Sequence, residues 1–193
     1  MGRHKEFERN TVLERAMDVF WEKGYEAASV QELVNRMQIN RGSLYDTFGD
    51  KHSLFLTALD HYRDQLVSLR LKSLLKSDDG VEAIRRFFAG LVTTWCSDRG
   101  YQGCLMVNVT VELAIHDDEA AGKVAAHMAA LEDAFYRTLL RAKKKGELQH
   151  QTDLRALARY LVNGANGLCV MAKVSPDRAV LEDIVTVTLS VLH

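Results

Sequence analysis

Apolar residues recur at intervals of three and four along nearly the whole of this chain, and proline occurs once, at Pro176. Together these two features are restrictive. A period near 3.6 gathers each apolar set on one side of a helix, and a chain almost free of proline lacks the residue that most effectively breaks helices. A strand would need period-two alternation and a neighbour to pair with. Only "VTVTLSV" at 185–191 offers the alternation. There Leu181, Ile184, Val185, Thr188, Leu189 and Leu192 also fall on one helical stripe, and no partner strand is in sight. The expected fold class is therefore all-α.

Caps and turns divide the chain. Leu13, Ala16, Met17 and Phe20 form a stripe that Gly24 ends. Ser29 and Glu32 have the S-x-x-E spacing of a capping box, opening a helix that carries Val30, Leu33 and Val34. "MQIN" is a short turn, and a third helix, Arg41 to Phe48, stops at Gly49. Asp50 can cap a fourth, with Leu54, Phe55, Ala58, Leu59 and Tyr62, running toward Leu75. "SDDG" at 77–80 is the clearest punctuation, so residues 1–50, 51–76 and 77–193 are read as an N-terminal domain, a linking helix and a C-terminal domain. Asp79 with Glu82 opens the next helix, to about Ser97, and 98–103 is a loop. A helix follows from Cys104 to Ile115, and "HDDE" at 116–119 turns into a long one ending at Lys143, Lys144, Lys145 and Gly146. Its terminal lysines suit the carbonyl end of the dipole. The last two helices span 152–173 and 176–192, with Ser175 as cap and Pro176 in the first turn.

Composition excludes several classes. The chain has 193 residues and a net charge of −1, so no global positive field advertises a nucleic-acid partner. No apolar run reaches the ~18 residues of a membrane span, and the polar start "MGRHKEFERN" lacks the apolar core of a signal peptide. Cys96, Cys104 and Cys169 have no C-x-x-C spacing, which argues against a zinc site or disulfide framework and for a cytoplasmic location. His116, Asp117, Asp118 and Glu119, with His127 beyond, can be weighed as metal ligands, but acids are expected at a helix start anyway. Cys104 and His116 can be weighed as a nucleophile and its base. Twelve residues along one helix separate them by roughly 18 Å, too far for such a pair. No cofactor motif is present, and an enzyme is not expected.

The second and third helices, with a tight turn between them, have the arrangement of a helix-turn-helix. They can pack through Val30, Leu33, Val34, Ile39, Leu44 and Phe48, leaving Arg41, Gly42, Ser43, Tyr45, Asp46 and Thr47 facing outward. Small residues at the start of such a helix let its backbone approach base edges. The stretch "SVQELVNRMQINRGSLYDTFGDKHSLF" resembles the helix-turn-helix of the TetR (tetracycline repressor) family of bacterial regulators. The matching positions include Ala16, Phe20, Gly24, Tyr25, Ser29, Gly42, Ser43, Leu44, Tyr45, Phe48, Lys51 and Leu54, and the likeness covers residues 9 to 60. It implies an all-helical homodimer whose N-terminal domain binds double-stranded operator DNA and whose C-terminal domain dimerises and binds a small-molecule effector. It assigns Tyr45, Lys51 and Ser29 to the DNA backbone, and Arg41, Gly42, Ser43 and Thr47 to positions at or near base edges. Asp46 stands where the family usually has Tyr, His or Arg. It either accepts from a cytosine amino group or turns away, or pairs with Arg41 or Arg36, and reads nothing.

Charge is the difficulty, because the first sixty residues hold ten acids against eight Lys and Arg. Glu8, Glu14, Asp18, Glu22, Glu26 and Glu32 lie on the first helix and the start of the second, where they can face away from DNA. Arg3, His4, Lys5, Arg9, Arg41, Lys51 and His52 are placed on the DNA side. Helix N-termini add backbone N–H donors for phosphate. Binding of this kind rests on a few placed cations.

In the C-terminal part, "FFAGLVTTWC" and "CLMVNVTVELA" mix apolar walls with isolated polar groups, as a ligand pocket does. The candidate effector residues are Phe87, Leu91, Thr94, Trp95, Cys104, Asn108 and Glu112. Cys104 begins a helix, where a thiol becomes more reactive, with Arg99 near in sequence. It is either an electrophile- or redox-sensing thiol or a small core residue. The last two helices are the expected dimer interface, through Tyr160, Leu161, Gly164, Ala165, Leu168, Leu181, Val185 and Leu189, with Gly164 and Gly167 admitting another helix closely. The function expected is a homodimeric transcriptional repressor released from its operator by a small molecule. The rivals are a helical ligand-binding protein that reads no operator and a cysteine-dependent enzyme.

Overall fold

The computed structural model describes residues 2–76, 78–97, 102–148 and 153–192, the side chains of residues 2–8, 66, 67, 69 and 76 excepted. Among the described residues there are helices and turns but no strand. The N-terminal part holds α1 (Gly2–Lys23), α2 (Val30–Met37), α3 (Arg41–Phe48) and α4 (Lys51–Tyr62). The chain continues through a widened, π-type turn, Arg63–Val67, into α5 (Ser68–Lys76). Then come α6 (Val81–Trp95), α7 (Leu105–Glu112), α8 (Asp118–Lys144), α9 (Leu154–Val174) and α10 (Arg178–Leu189), with a tight final turn at Ser190–Leu192. "VTVTLSV" is helical, as its stripe requires.

Short polar side chains fix most of the helix starts. Ser29 accepts from Glu32 N–H at 3.2 Å, Asn40 from Ser43 N–H at 2.8 Å, Asp50 from Ser53 N–H at 2.7 Å and Asp117 from Ala120 N–H at 2.9 Å. Each satisfies a donor that the first helical turn leaves open. Three starts differ from expectation. The linking helix is interrupted at Arg63–Val67, where Ser68 bonds back to the Asp64 carbonyl and Arg63 pairs with Asp60 at 3.2 Å and Asp64 at 3.0 Å. Asp79 does not open α6: it pairs with Arg86 at 2.6 Å, while Val81 N–H donates to the Glu147 carboxylate at 2.7 Å. Asp177, not Ser175, caps α10 through Ala179 and Val180 N–H, which leaves Pro176 in the linker. A carboxylate is the stronger acceptor at the positive end of a helix.

Two apolar cores result. The first packs α1 to α4 around Phe20, Leu33, Leu44, Phe55 and Leu59, and recruits Leu105, Met106, Val109 and Leu113 from α7 and its end, and Val124 from α8. The second joins α6, α8, α9 and α10 around Phe87, Phe88, Phe135, Leu161, Leu168 and Leu181. Leu71, Cys104 and Met128 pack against both. The packing of the first core runs across the expected division at 77–80.

Candidate nucleic-acid interface and effector cavity

Helices α2 and α3 are held apart by a turn in which Gln38 adopts the left-handed conformation, φ 58°, a region few residues with a Cβ occupy. Arg15 from α1 donates to the Gln38 side chain at 2.7 Å and to the Met37 carbonyl at 3.3 Å, so the turn is tied to the first helix. Leu44 and Phe48 are buried. That fixes the rotation of α3 and leaves Arg41, Gly42, Tyr45, Asp46 and Thr47 exposed, with Ser43 half-buried at the helix start. Tyr45 is 45% exposed. Asp46 has no ion pair among the described residues, and Arg36, one of its two possible partners, is held by Glu22 at 2.6 Å. Ser29 lies exposed at the start of α2.

The neighbours Lys51 and His52 diverge. The Lys51 ammonium sits 4.4 Å from the centroid of the Tyr25 ring and 3.5 Å from the Glu26 carbonyl, at the edge of the α2–α3 face. His52 was expected on the DNA side. It turns the other way, its Nε2 2.8 Å from the Asp117 carboxylate at the cap of α8. One helical step rotates a side chain by ~100°, which lets these two neighbours reach different partners. Arg9 is exposed, and the side chains of Arg3, His4 and Lys5 lie outside the described residues.

The α1–α2 turn is clasped from the C-terminal part. The Glu112 carboxylate accepts from Tyr25 N–H at 3.1 Å and Glu26 N–H at 2.9 Å. It stands so close that a Cβ on Gly24, whose φ is +82°, would meet Glu112 Oε2 at 2.7 Å. Lys123 of α8 pairs with Asp60 of α4 at 2.6 Å, and the Trp21 ring nitrogen donates to the Gln102 carbonyl at 3.2 Å. Glu112 was expected in an effector pocket; it serves this clasp instead.

The cavity lies where the two cores meet. Its wall is Tyr62, Arg70, Leu71, Phe87, Leu91, Trp95, Cys104, His127, Leu131, Ala165, Asn166 and Cys169, contributed by α4 to α9. Phe87, Leu91, Trp95 and Cys104 are thereby together. Thr94 and Asn108 are not in the wall. The Thr94 hydroxyl accepts from Arg70 at 3.4 Å. Asn108 bonds the Gln102 carbonyl at 3.1 Å and Lys173 at 2.9 Å along an outer groove. The water-centre volume is about 40 Å³, against the ~10–15 Å³ that one water needs. It therefore holds only a few waters.

Burial shifts the groups around it. His127 is 5% exposed, and burial, then the Arg63 charge, lowers it to about 4, so its ring is neutral. Burial, then Cys104, pushes the Cys169 thiol up to about 12, and Tyr62 is raised by the same two causes. The Cys104 N–H donates to Cys169 Sγ at 2.9 Å, and the Tyr62 hydroxyl donates to Cys104 Sγ at 3.5 Å. Arg99 lies outside the described residues. His127, weighed above as a metal ligand, faces this cavity, whereas Asp117 caps α8 and His116 lies in the preceding turn. Arg70, Tyr62, Leu131 and Asn166 were missed. Arg70 shares the leucine-rich run around Leu69, Leu71, Leu74 and Leu75 with Lys72 and Lys76, so the sequence alone does not single it out.

The interface candidates on α9 and α10 need correction by burial. Leu161, Ala165, Leu168, Leu181 and Leu189 belong to the chain's own core, and Ala165 also lines the cavity. Gly164 admits α10 of the same chain: a Cβ there would meet Thr188 Cγ2 at 2.7 Å. A Cβ on Gly167 would meet nothing within 4 Å. Tyr160 is exposed and Val185 half-buried. The other exposed apolar residues on these helices include Val170, Met171, Val174, Val180 and Val187.

A capped helix-turn-helix on an all-helical body with a cavity at the joint defines the class: a one-component DNA-binding transcriptional regulator. Residues 12–58 match the family model described as bacterial regulatory proteins, tetR family, and residues 80–188 match the tetracyclin repressor-like C-terminal domain. The chain belongs to the TetR family. It is 42% identical over 193 residues, the whole of both chains, to the uncharacterized HTH-type transcriptional regulator YezE of Bacillus subtilis (strain 168). It is 29% identical over 189 residues to the HTH-type transcriptional repressor ComR of Escherichia coli (strain K12), covering 97% of this chain and 90% of that one. Its fold superposes with a TM-score of 0.85, at 32% identity, on a cysteine mutant of the TetR-family regulator CifR complexed with 26-base-pair operator DNA, covering 94% of this chain and 95% of that one.

Proposed function

We propose that the protein is a cytoplasmic, homodimeric repressor that a small molecule releases from its operator. In this reading residues 1–50 bind DNA, 51–76 link, and 77–193 dimerise and hold the effector. Arg41, Gly42, Ser43 and Thr47 approach base edges, Tyr45, Lys51 and Ser29 hold phosphates, and Asp46 is a cytosine reader or a spectator. His52 is removed from the DNA set. The partner subunit covers the exposed apolar positions of α9 and α10, with Tyr160 and Val185 among them. No catalytic role is assigned.

The observation that carries the effector reading is the position of the cavity. Leu71 and Cys104 pack against both cores and line it. At about 40 Å³ it must open to take more than a few atoms. Opening moves α5, which the widened turn at Arg63–Val67 connects to α4 and the DNA-binding face; such turns often mark functional sites in helices. A ligand that prefers the opened form then shifts the population of dimers whose recognition helices no longer match half-sites about 34–36 Å apart. The test is a gel shift on the DNA upstream of the chain's own coding sequence, with Tyr45→Ala and Lys51→Ala beside wild type. Both variants should bind more weakly, and equal binding by all three removes the operator-reading model.

Thiol chemistry is a second trigger, favoured by Cys104 Sγ facing the cavity beside Cys169. Alkylation by N-ethylmaleimide should release DNA from wild type and not from Cys104→Ser. Unchanged binding with Cys104 shown by mass spectrometry to be modified would remove it.

A further inference from the structure

Among the described residues of the cavity wall Arg70 is the one charged group, and no Asp or Glu accompanies it there. By contrast, the guanidinium groups of Arg36, Arg63, Arg86, Arg137, Arg155, Arg159 and Arg178 each lie against a carboxylate. Arg70 has no ion pair among the described residues, and its guanidinium makes a long bond to the Thr94 hydroxyl at 3.4 Å. Its charge reaches the wall, since it opposes the upward shifts of Tyr62 and Cys169. On the same wall His127 is buried, and its Nδ1 has no hydrogen-bond partner. Buried polar atoms are rarely left so, and a neutral ring can donate one hydrogen there. Leu71, Phe87, Leu91, Trp95, Leu131 and Ala165 make most of the remaining wall apolar, with the Tyr62 hydroxyl, the Asn166 amide and the thiols of Cys104 and Cys169 as its other polar groups.

We infer that this cavity takes a compact apolar carboxylate, its anion paired with Arg70 and supported by His127, its body against Phe87, Leu91 and Trp95. The inference rests on the effector reading above and narrows it to a chemical class. A carboxylate matches the planar guanidinium fork. A phosphate dianion would bring more charge than one arginine offsets where the described wall holds no other cation, and buried uncompensated charge is costly. A cation would face Arg70 directly. Since Arg70 sits on α5, pairing with it pulls on the helix that leads through the widened turn to the DNA-binding face.

The experiment uses the full chain and a panel of probes: butyrate, hexanoate, benzoate and phenylacetate, each with its neutral amide. Binding is read from the fluorescence of Trp95, with Trp95→Phe assigning the signal against Trp21, the other tryptophan. At least one carboxylate should give saturable quenching, with its amide weaker by about tenfold or more. Arg70→Gln should weaken the carboxylate by about 10- to 100-fold, the range of a hydrogen bond to a charged group, and leave the amide unchanged. An unchanged melting temperature certifies its fold, and Arg70→Lys should restore part of the loss. Amides that bind as tightly as their acids, an Arg70→Gln variant that binds carboxylate normally, or a panel without any quenching would each overturn the class. Saturable, Arg70-dependent binding that leaves operator affinity unchanged would instead sustain the class and overturn release by this cavity.

Discussion

The DNA-facing pair α2–α3 and the cavity are built in opposite ways. The pair is local: its caps Ser29 and Asn40, and Asp50 at the start of the following α4, each act three residues away, and its buried Leu44 and Phe48 are four apart. The cavity gathers residues from 62 to 169, and its polar groups are set by burial rather than by neighbours in sequence. A local site tolerates single losses, because each cap contributes a modest and separate amount. A site at a seam does not, because one side chain there serves two cores. Substitutions at the seam should therefore have larger effects than those in the recognition pair.

The largest is expected at His127. Burial lowers it from an ordinary value near 6.5 to about 4, so the unfolded chain takes up its proton first as pH falls. Stability from this residue is complete above pH 6.5 and is lost progressively down to pH 4, by about 3 kcal/mol at most. Urea unfolding of wild type and His127→Leu at pH 7 and pH 4.5 isolates it, since carboxylates titrate alike in both. Equal acid sensitivity would contradict a neutral, buried imidazole.

Next is Gly24→Ala. The left-handed backbone alone costs about 1–2 kcal/mol for a residue with a Cβ. The added methyl also displaces Glu112, leaving Tyr25 and Glu26 N–H without their acceptor. A total of about 2–3 kcal/mol is expected. In a Glu112→Ala background the same change should cost about 1 kcal/mol less; strict additivity in this cycle would show that the clasp does not couple the two parts.

This contrast also explains what could be read from sequence. Helix type and most boundaries follow from apolar period and caps, and those are properties of short windows. The outward residues of α3 follow from Leu44 and Phe48 for the same reason. Glu112 could not be placed, because its partners lie more than eighty residues away, at Tyr25 and Glu26. A polar residue within an apolar helix looks the same whether it lines a pocket or clasps a turn. Arg70 was invisible as a cavity residue because pairing, the property that distinguishes it, is defined only by what surrounds it in space. On α9 and α10, the apolar stripe identified packing faces but not whether they meet their own chain or a second one. Leu161, Leu168 and Leu181 meet their own.

Asp50→Ala tests the local side of the comparison. Loss of the Asp50–Ser53 cap should lower stability by less than Gly24→Ala does. The carboxyl is held below its ordinary value chiefly by the Ser53 N–H, so its contribution is present at neutral pH and falls as pH drops through the acid range. Asp50→Asn should recover most of the loss at neutral pH and remove its pH dependence. A loss as large as that of Gly24→Ala would erase the distinction between the two regions.

The smallest effect, His52→Ala, discriminates best. His52 and Lys51 are adjacent, yet one pairs with Asp117 and the other lies over the Tyr25 ring. The His52–Asp117 pair is partly solvent-exposed, and such pairs contribute up to ~1 kcal/mol, so a loss below that is expected in unfolding experiments. If His52 takes no part in the operator contact, the dependence of operator binding on salt should be unchanged. Lys51→Ala should do the reverse: little loss of stability, but a salt slope smaller by about 1, the signature of one phosphate contact removed. A His52→Ala variant whose salt slope falls as Lys51→Ala does would return His52 to the DNA face and show that the pair with Asp117 opens on DNA.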